Sequence, residues 1–560
     1  MRVPDTIPWT QRFSWRSCPY WFIGLCLFCG ILGGSVPLWE YLRTREGMVY
    51  TGFVQGDLPM IMALAREIFE TGDSVIRHAS PFDYRLEAPR IYSYGLVTLL
   101  GHLWYWTGWS PEVVFNALGL LCAPLMLVLT WPLLSCALRT PTMRVVIAFV
   151  VVFGGGWALP LTVGTLLFRG EPVTAAAFGQ IYLGIEGAFT WWFLNLFRNT
   201  LFATESYYHV LFFAAVGCYL RARFWPCVVL VTLLAWTHPF TGVELLLILL
   251  ASEGVYVFSQ HSWQRARWLV AFSAIFALLL AYNFLFLGAY PEHRELMRHW
   301  REARYTLQLV HELAAYGPFL LLPVLGLLGS ATVRRNILAT FETRFLCIWA
   351  VVVYLLINNE AWFEPPYEPA HFTRGYLFVP LVLLSGMVLE HARQLPYRWA
   401  TGGATAVLWA CLLVPVTDNV LFLARFAHGG IPLLWSPETL MATYRRLEEL
   451  PSPRVVATPV LACDNRPVGY WLAVWTQHRP LVGHYVTAGL LQKAEVLRAF
   501  YEEGNFALLT EYPVSVVLLP TEAPAFVTLQ AGLTERGFRQ FAQNPDWSVW
   551  VVAEMRDVDQ

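Results

Sequence analysis

The chain has 560 residues, of which 57% are hydrophobic and 14% charged, with a net charge of -1. Mean hydropathy is +0.49. Soluble globular chains average about 45–50% apolar and about 25% charged residues, so this composition excludes a water-soluble protein of this length. The near-neutral charge gives nucleic-acid binding no electrostatic support.

Long apolar runs recur along most of the chain, and several exceed the roughly 18 residues that a spanning helix needs. Such runs must be helical, because hydrocarbon offers the backbone no other hydrogen-bond partner. The first, Tyr20–Leu38, is long and lacks a small-residue cleavage site, so it reads as a spanning helix and not as a cleavable signal. Further helices are predicted over 112–137, 144–166, 204–221, 226–238, 240–258, 268–288, 314–330, 344–358, 374–390 and 400–424. With the first helix at 20–39 this gives about eleven spans. The break at His238-Pro239 predicts a short re-entering pair, since proline cannot continue the helical ladder.

Residues 40–111 read as one long outer loop with two surface helices. The first is amphipathic, runs from about Leu58 to Thr71, and ends at Gly72. The second apolar stretch, Ile91–Gly108, carries Tyr92, Tyr94, Trp104, Tyr105 and Trp106, a load that suits a helix lying in the interface. Counting it as a span would also break the charge pattern. With it left out of the spans, Arg2, Arg12, Arg16, Arg139, Arg144, Arg221, Arg223, Arg265, Arg267, Arg334, Arg335, Arg393 and Arg398 fall on one side. Asp57, Asp73, Asp83, Glu87, Glu186, Glu292, Glu295, Glu360, Glu364 and Glu368 fall on the other. The positive side is cytoplasmic, which puts the N-terminus inside and the C-terminus outside.

From about residue 430 the composition changes. Arg454–Val460, Val514–Leu519 and Trp547–Ala553 are short and Val-rich, as strands are, and Lys493–Glu503 reads as a helix. The expected fold is therefore a polytopic α-helical membrane domain over 1–429 and a small extracytoplasmic α/β domain over 430–560. Nine of the ten cysteines lie in or beside apolar segments, and only Cys463 falls in the C-terminal part. They read as small core residues, with no disulfide inside that part.

Several polar residues stand out against this background. Asp57 follows the first helix and opens a surface helix, where the dipole favours a carboxylate. It reads either as an N-cap or as a general base at the outer face. The loop Asn359–Arg374 holds Glu360, Glu364, Glu368, His371 and Arg374 among aromatics and prolines. Arg374, where the chain enters the membrane, suits either a bidentate grip on a lipid-linked phosphate or a snorkelling interface role. Glu205 and His209 share a helix face by their i, i+4 spacing, and can face a cavity, bind a divalent metal or cap the helix. Glu244 lies inside an apolar helix, where an ionisable group is a functional suspect. His238 reads as a turn residue and His484, in Gly483-His484-Tyr485, as a structural histidine. No phosphate loop, nucleophile elbow or HExxH motif is present, so soluble nucleotide chemistry is unsupported.

Three stretches resemble the GT-C glycosyltransferase superfamily, which includes protein O-mannosyltransferases, aminoarabinose transferases and RgtA/B/C/D-like bacterial membrane proteins. They are Gly56-Asp57-Leu58 through Ala65-Arg66-Glu67-Ile68 to Thr71-Gly72-Asp73, Ala88-Pro89-Arg90-Ile91-Tyr92 with Leu100-Gly101, and Phe372-Thr373-Arg374-Gly375-Tyr376 through Pro380. The resemblance covers about residues 20–424, mainly by arrangement, and Ala203-Thr204-Glu205-Ser206 and Thr237-His238-Pro239-Phe240, with the Gly483-His484-Tyr485 region, look like an uncharacterised bacterial branch. It departs at Leu58, where many members carry a second acid, and in lacking an Asp-x-Asp pair in the second outer loop.

The resemblance implies an inverting transferase that moves a sugar from a polyprenyl-phosphate donor to a lipid, glycan or protein acceptor of the envelope. Asp57 would be its base and Arg374 its donor-phosphate ligand, with Glu205, His209, Arg90, Glu364, Glu368 and His371 lining the site. No cofactor is required by this reading, and a divalent metal stays open. Two rivals remain: a transporter or lipid flippase, and a non-catalytic envelope-assembly scaffold. The single break at His238-Pro239 and the clustering of polar residues in outer loops favour interfacial chemistry over translocation.

Overall fold

The computed structural model describes residues 18–553, apart from 44, 55–56, 74–75, 156, 173, 175, 182–193, 261–264, 303–311, 313–314, 365–368, 429–433, 460–467 and 485–486. Glu186, Glu368, Cys463 and Tyr485 therefore lie outside the described residues. Most of the rest is helix. Pro111–Ala137, Pro239–Ser259 and Ala266–Ala289 are each long and apolar enough to cross a bilayer. Ala331–Ala339 and Phe341–Ile357 make a fourth if taken as one span bent by 101°. Six shorter apolar helices accompany them among the described residues. The chain is a helical integral membrane protein.

Two compact units divide it. One joins Met1–Val36, Leu118–Ala281 and Arg301–Gly429. The other joins Pro37–Ala117, Tyr282–Trp300 and Gly430–Gln560. These units do not follow a single cut at residue 430. The reason is pairing across the sequence within the second unit. Strand β1 (Met48–Tyr50) runs antiparallel to β2 (Trp435–Pro437). Arg66 donates to the Val474 carbonyl at 2.8 Å and to Glu448 at 2.7 Å. These bonds tie the surface-helix region to the C-terminal segment.

In the helical unit, two predicted elements turn out differently. The span predicted over 144–166 is two helices, Pro141–Phe153 and Ala158–Arg169. Glycines at 154 and 155 break it. A Cβ on Gly154 would sit 2.9 Å from Phe378 Cζ, and Gly155 takes φ +77. The carbonyls freed at the break need partners in an apolar setting. Asn419 Nδ2 donates to the Phe153 carbonyl at 2.6 Å, and Asn195 Nδ2 to the Gly154 carbonyl at 2.9 Å. The fully buried Arg198 donates Nε–H to Asn419 Oδ1 at 2.9 Å and completes this network.

The second difference is at Arg374. The helix predicted from 374 begins at Phe378, after a single turn over Ala370–Thr373. Gly375 takes φ +82, and a Cβ there would meet Asn199 Nδ2 at 3.2 Å and His209 Nε2 at 3.5 Å. Only glycine meets that conformation and that close approach without strain. The predicted break at His238-Pro239 is present, between Phe224–Thr237 and Pro239–Gln260, but the second arm is long and apolar enough to cross a bilayer and is not the short re-entering arm expected. Gly242 lets the arms close, since a Cβ there would lie 2.5 Å from Ala235 Cα.

In the second unit, both predicted surface helices form, as Asp57–Thr71 and Gly95–Thr107. They pack through Gly101, where a Cβ would lie 2.7 Å from Ile68 Cβ. The C-terminal segment builds a five-stranded sheet in the order β4-β3-β5-β7-β6. Its strands are β3 (Val455–Ala457), β4 (Arg479–Pro480), β5 (Val516–Pro520), β6 (Phe538–Gln543) and β7 (Trp547–Val552). β3 runs parallel to β4 and β5, and β7 antiparallel to β5 and β6. Alternate residues feed two cores, as the strand period of two requires. Val455, Ala457, Val517 and Leu519 join a cluster with Leu497, Phe500 and Leu529. Val456, Val516 and Leu518 join another with Tyr444, Leu447 and Trp471. Both faces are covered by helices, which is why these strands read as continuous apolar runs.

Candidate active site

The polar residues gather in two places, one in each unit. In the helical unit the glycine turn at 375 turns Arg374 back toward the helix Ala203–Leu220. Its Nη1 donates to Glu205 Oε1. Its Nη2 lies 2.6 Å from His371 Nδ1. The Arg374 side chain is 13% exposed and that of Glu205 3%. A charged pair this deep is retained only when each charge is met by the other.

His209 stands one turn beyond Glu205. Its Nδ1 donates to the Glu205 carbonyl at 2.7 Å, and its ring stacks on Tyr376 with centroids 4.4 Å apart. The two side chains thus turn to different partners. Among the described residues no three His, Cys, Asp or Glu side chains converge as a metal site. His371 stacks on Phe240 with centroids 4.2 Å apart. His238 stacks on Tyr208 and holds Thr241 Oγ1 at 2.8 Å, a turn role. Glu244 is fully buried, and its carboxyl finds no hydrogen-bond partner among the described residues. Glu364 is exposed.

In the second unit Asp57 opens the helix Asp57–Thr71. Its Oδ1 lies 3.1 Å from Nε2 of His484. The carboxylate side chain is 41% exposed, whereas the imidazole is fully buried. The His484 ring stacks on Phe82 with centroids 5.6 Å apart and is covered by Tyr470 at 4.7 Å. Gly483 makes this fit, since a Cβ there would lie 2.3 Å from Phe82 Cδ1. Burial pushes the His484 imidazole below its usual range, and the hydrogen bond to Asp57 only partly offsets that. The ring is therefore neutral near neutral pH, and Nε2 carries the proton because a carboxylate can only accept.

Arg90, read as a site residue, pairs with Glu67 at 2.6 Å, with its own side chain 56% exposed. The structure thus brings together Glu205, His209, His371 and Arg374 in one unit, and Asp57 with His484 in the other. Sequence reading missed the Asn195–Arg198–Asn419 network and the partnership of His484. The network left one signal, the polar run Asn195-Leu196-Phe197-Arg198-Asn199-Thr200 between apolar segments.

No family model matches the chain, and no curated protein matches it. Solved structures do. The chain is similar to the oligosaccharyltransferase AglB from Archaeoglobus fulgidus, in complex with an inhibitory peptide and a dolichol-phosphate: 14% identity over 94% of this chain and 73% of that one, TM-score 0.45. It is similar to ArnT from Cupriavidus metallidurans bound to undecaprenyl phosphate: 10% identity, 96% and 98% coverage, TM-score 0.48. A third is the arabinofuranosyltransferase AftD from Mycobacteria: 12% identity, 95% and 40% coverage, TM-score 0.47. At these scores and identities none of those proteins' activities transfers to this chain.

Proposed function

We propose that this chain is a membrane glycosyltransferase that moves a sugar from a polyprenyl-phosphate donor to an envelope acceptor, with inversion, using Asp57 as general base. The observation that carries the reading is the half-exposed Asp57 carboxylate held on a fully buried neutral imidazole. A base needs a carboxylate that its substrate can reach, and this one is exposed while held by a hydrogen bond. The reading places about eleven spans in the membrane, the N-terminus in the cytoplasm and residues 430–560 on the outer side. Arginine placement supports that orientation.

In the reaction the acceptor hydroxyl oxygen bonds to the anomeric carbon as the carbon–oxygen bond to phosphate breaks. The hydroxyl proton passes to Asp57, and polyprenyl phosphate leaves. Arg374 is the proposed ligand of that phosphate, whose negative charge grows in the transition state. Its guanidinium is also held by Glu205 and His371, which fix its position. The apolar helices hold the lipid tail.

The test is sugar transfer by purified full-length protein, offered a panel of polyprenyl-phosphate sugars, with the anomeric configuration of the product determined by NMR. Inverted product or donor hydrolysis supports the proposal. Tight donor binding without turnover supports a scaffold instead, and neither binding nor turnover across the panel supports a transporter.

A further inference from the structure

We infer that His484 is a positioning residue for Asp57: it donates Nε2–H to the carboxylate, keeps it ionised and fixes its aim, and never itself carries the reaction proton. This rests on the proposed role of Asp57 as base. Three observations lead to it. The bond is direct, Nε2 to Oδ1 at 3.1 Å. The two partners differ in access: the imidazole is fully buried and the carboxylate is not. Proton exchange with an acceptor or with water therefore belongs to Asp57. Third, the ring cannot swing away. Phe82 and Tyr470 pack on it. Its backbone carbonyl accepts from the Thr487 amide at 2.8 Å, and Thr487 Oγ1 accepts from the Gly483 amide at 3.3 Å.

A neutral donor suits a base better than a cation does. An imidazolium would cancel the carboxylate's charge and weaken it as a proton acceptor. Desolvation in the aromatic stack acts against that imidazolium. The other charged groups on the packed elements have their own engagements. Arg66 pairs with Glu70 and Glu448, Glu67 pairs with Arg90, and Asp83 pairs with Arg85. His102, on the neighbouring helix, stacks on Trp106, and the Tyr470 ring covers the imidazole. During transfer the acceptor's proton moves to Asp57 and later to solvent. His484 keeps its own proton throughout.

The test uses the full-length protein in detergent with three variants: Asp57→Asn, His484→Gln and His484→Phe. Glutamine keeps a donor, and phenylalanine keeps the ring but not the donor. Histidine-selective ¹⁵N NMR needs no sugar donor. One imidazole, identified by its loss in His484→Gln, is expected to show the neutral Nε2–H tautomer at neutral pH and above. Its signal is expected to move in Asp57→Asn. An imidazolium signature at neutral pH, or no response to Asp57→Asn, overturns the inference. Activity supplies the second arm. His484→Phe is expected to raise the acidic limb of the kcat profile by about one pH unit and to cut kcat roughly tenfold, with KM little changed. His484→Gln is expected to recover most of that loss. Wild-type kcat and limb in a folded His484→Phe overturn the inference alone, provided Asp57→Asn is inactive. Full activity in Asp57→Asn instead overturns the base reading, and the NMR arm still decides the pair.

Discussion

Two carboxylates carry the candidate chemistry, and the molecule houses them in opposite ways. Glu205 is buried in the helical unit, and its charge is met by the largely buried Arg374. Asp57 stays half in solvent, and what stands behind it is a neutral ring. The first arrangement cancels charge so that both groups survive burial. The second preserves charge and access together. Only the second leaves a carboxylate within reach of a substrate, which favours Asp57 over Glu205 as the proposed base.

The contrast can be broken first at the buried pair. Glu205→Ala strands the Arg374 cation, which is expected to cost about 3–5 kcal/mol. Thermal unfolding in detergent should show a clear fall, and adding Arg374→Met should recover most of it. Wild-type stability in the single variant would mean that the pair is not what holds Arg374. Next comes acid. Burial pushes His78 and His478, both outside the spans, down to about 4 from an ordinary value of 6.5. The unfolded chain thus binds more protons than the folded one between those values. Stability is full above about pH 6.5 and falls as pH drops toward 4, by up to about 3 kcal/mol per histidine. Unfolding followed across that range should show the loss, and His478→Gln should flatten it.

Smaller effects sharpen the Asp57 side. Gly483→Ala drives a methyl into Phe82 and is expected to cost about 1–3 kcal/mol while loosening the His484 ring. The loss should appear in both unfolding and the His484 NMR signal. Arg90→Ala removes only an exposed ion pair and should change stability by less than about 1 kcal/mol. Its transfer rate should match wild type. A large rate loss there would return Arg90 to the site.

Much of the framework was legible because apolar period and length determine it. The helices Ala203–Leu220, Phe224–Thr237 and Pro239–Gln260 start within two residues of their predicted positions. Asp57 stood out because it is an acid in the loop after the first helix and opens an amphipathic helix. The break after Phe153 was not legible. Three successive glycines at the end of a valine-rich run read as helix until the amides that cap the break, Asn195 and Asn419, are known to be near. The Asp57–His484 pair was hidden for a similar reason. Its members are 427 residues apart, and no local pattern records a hydrogen bond at that separation. The pairing of β1 with β2 was hidden on the same grounds.

The most direct measurement is transfer by Asp57→Asn beside wild type, on protein shown by circular dichroism to be folded. The side chain keeps its shape and loses its basicity, so the rate is expected to fall by roughly 10²–10⁴-fold. Transfer at the wild-type rate would contradict the assignment of Asp57 as the base.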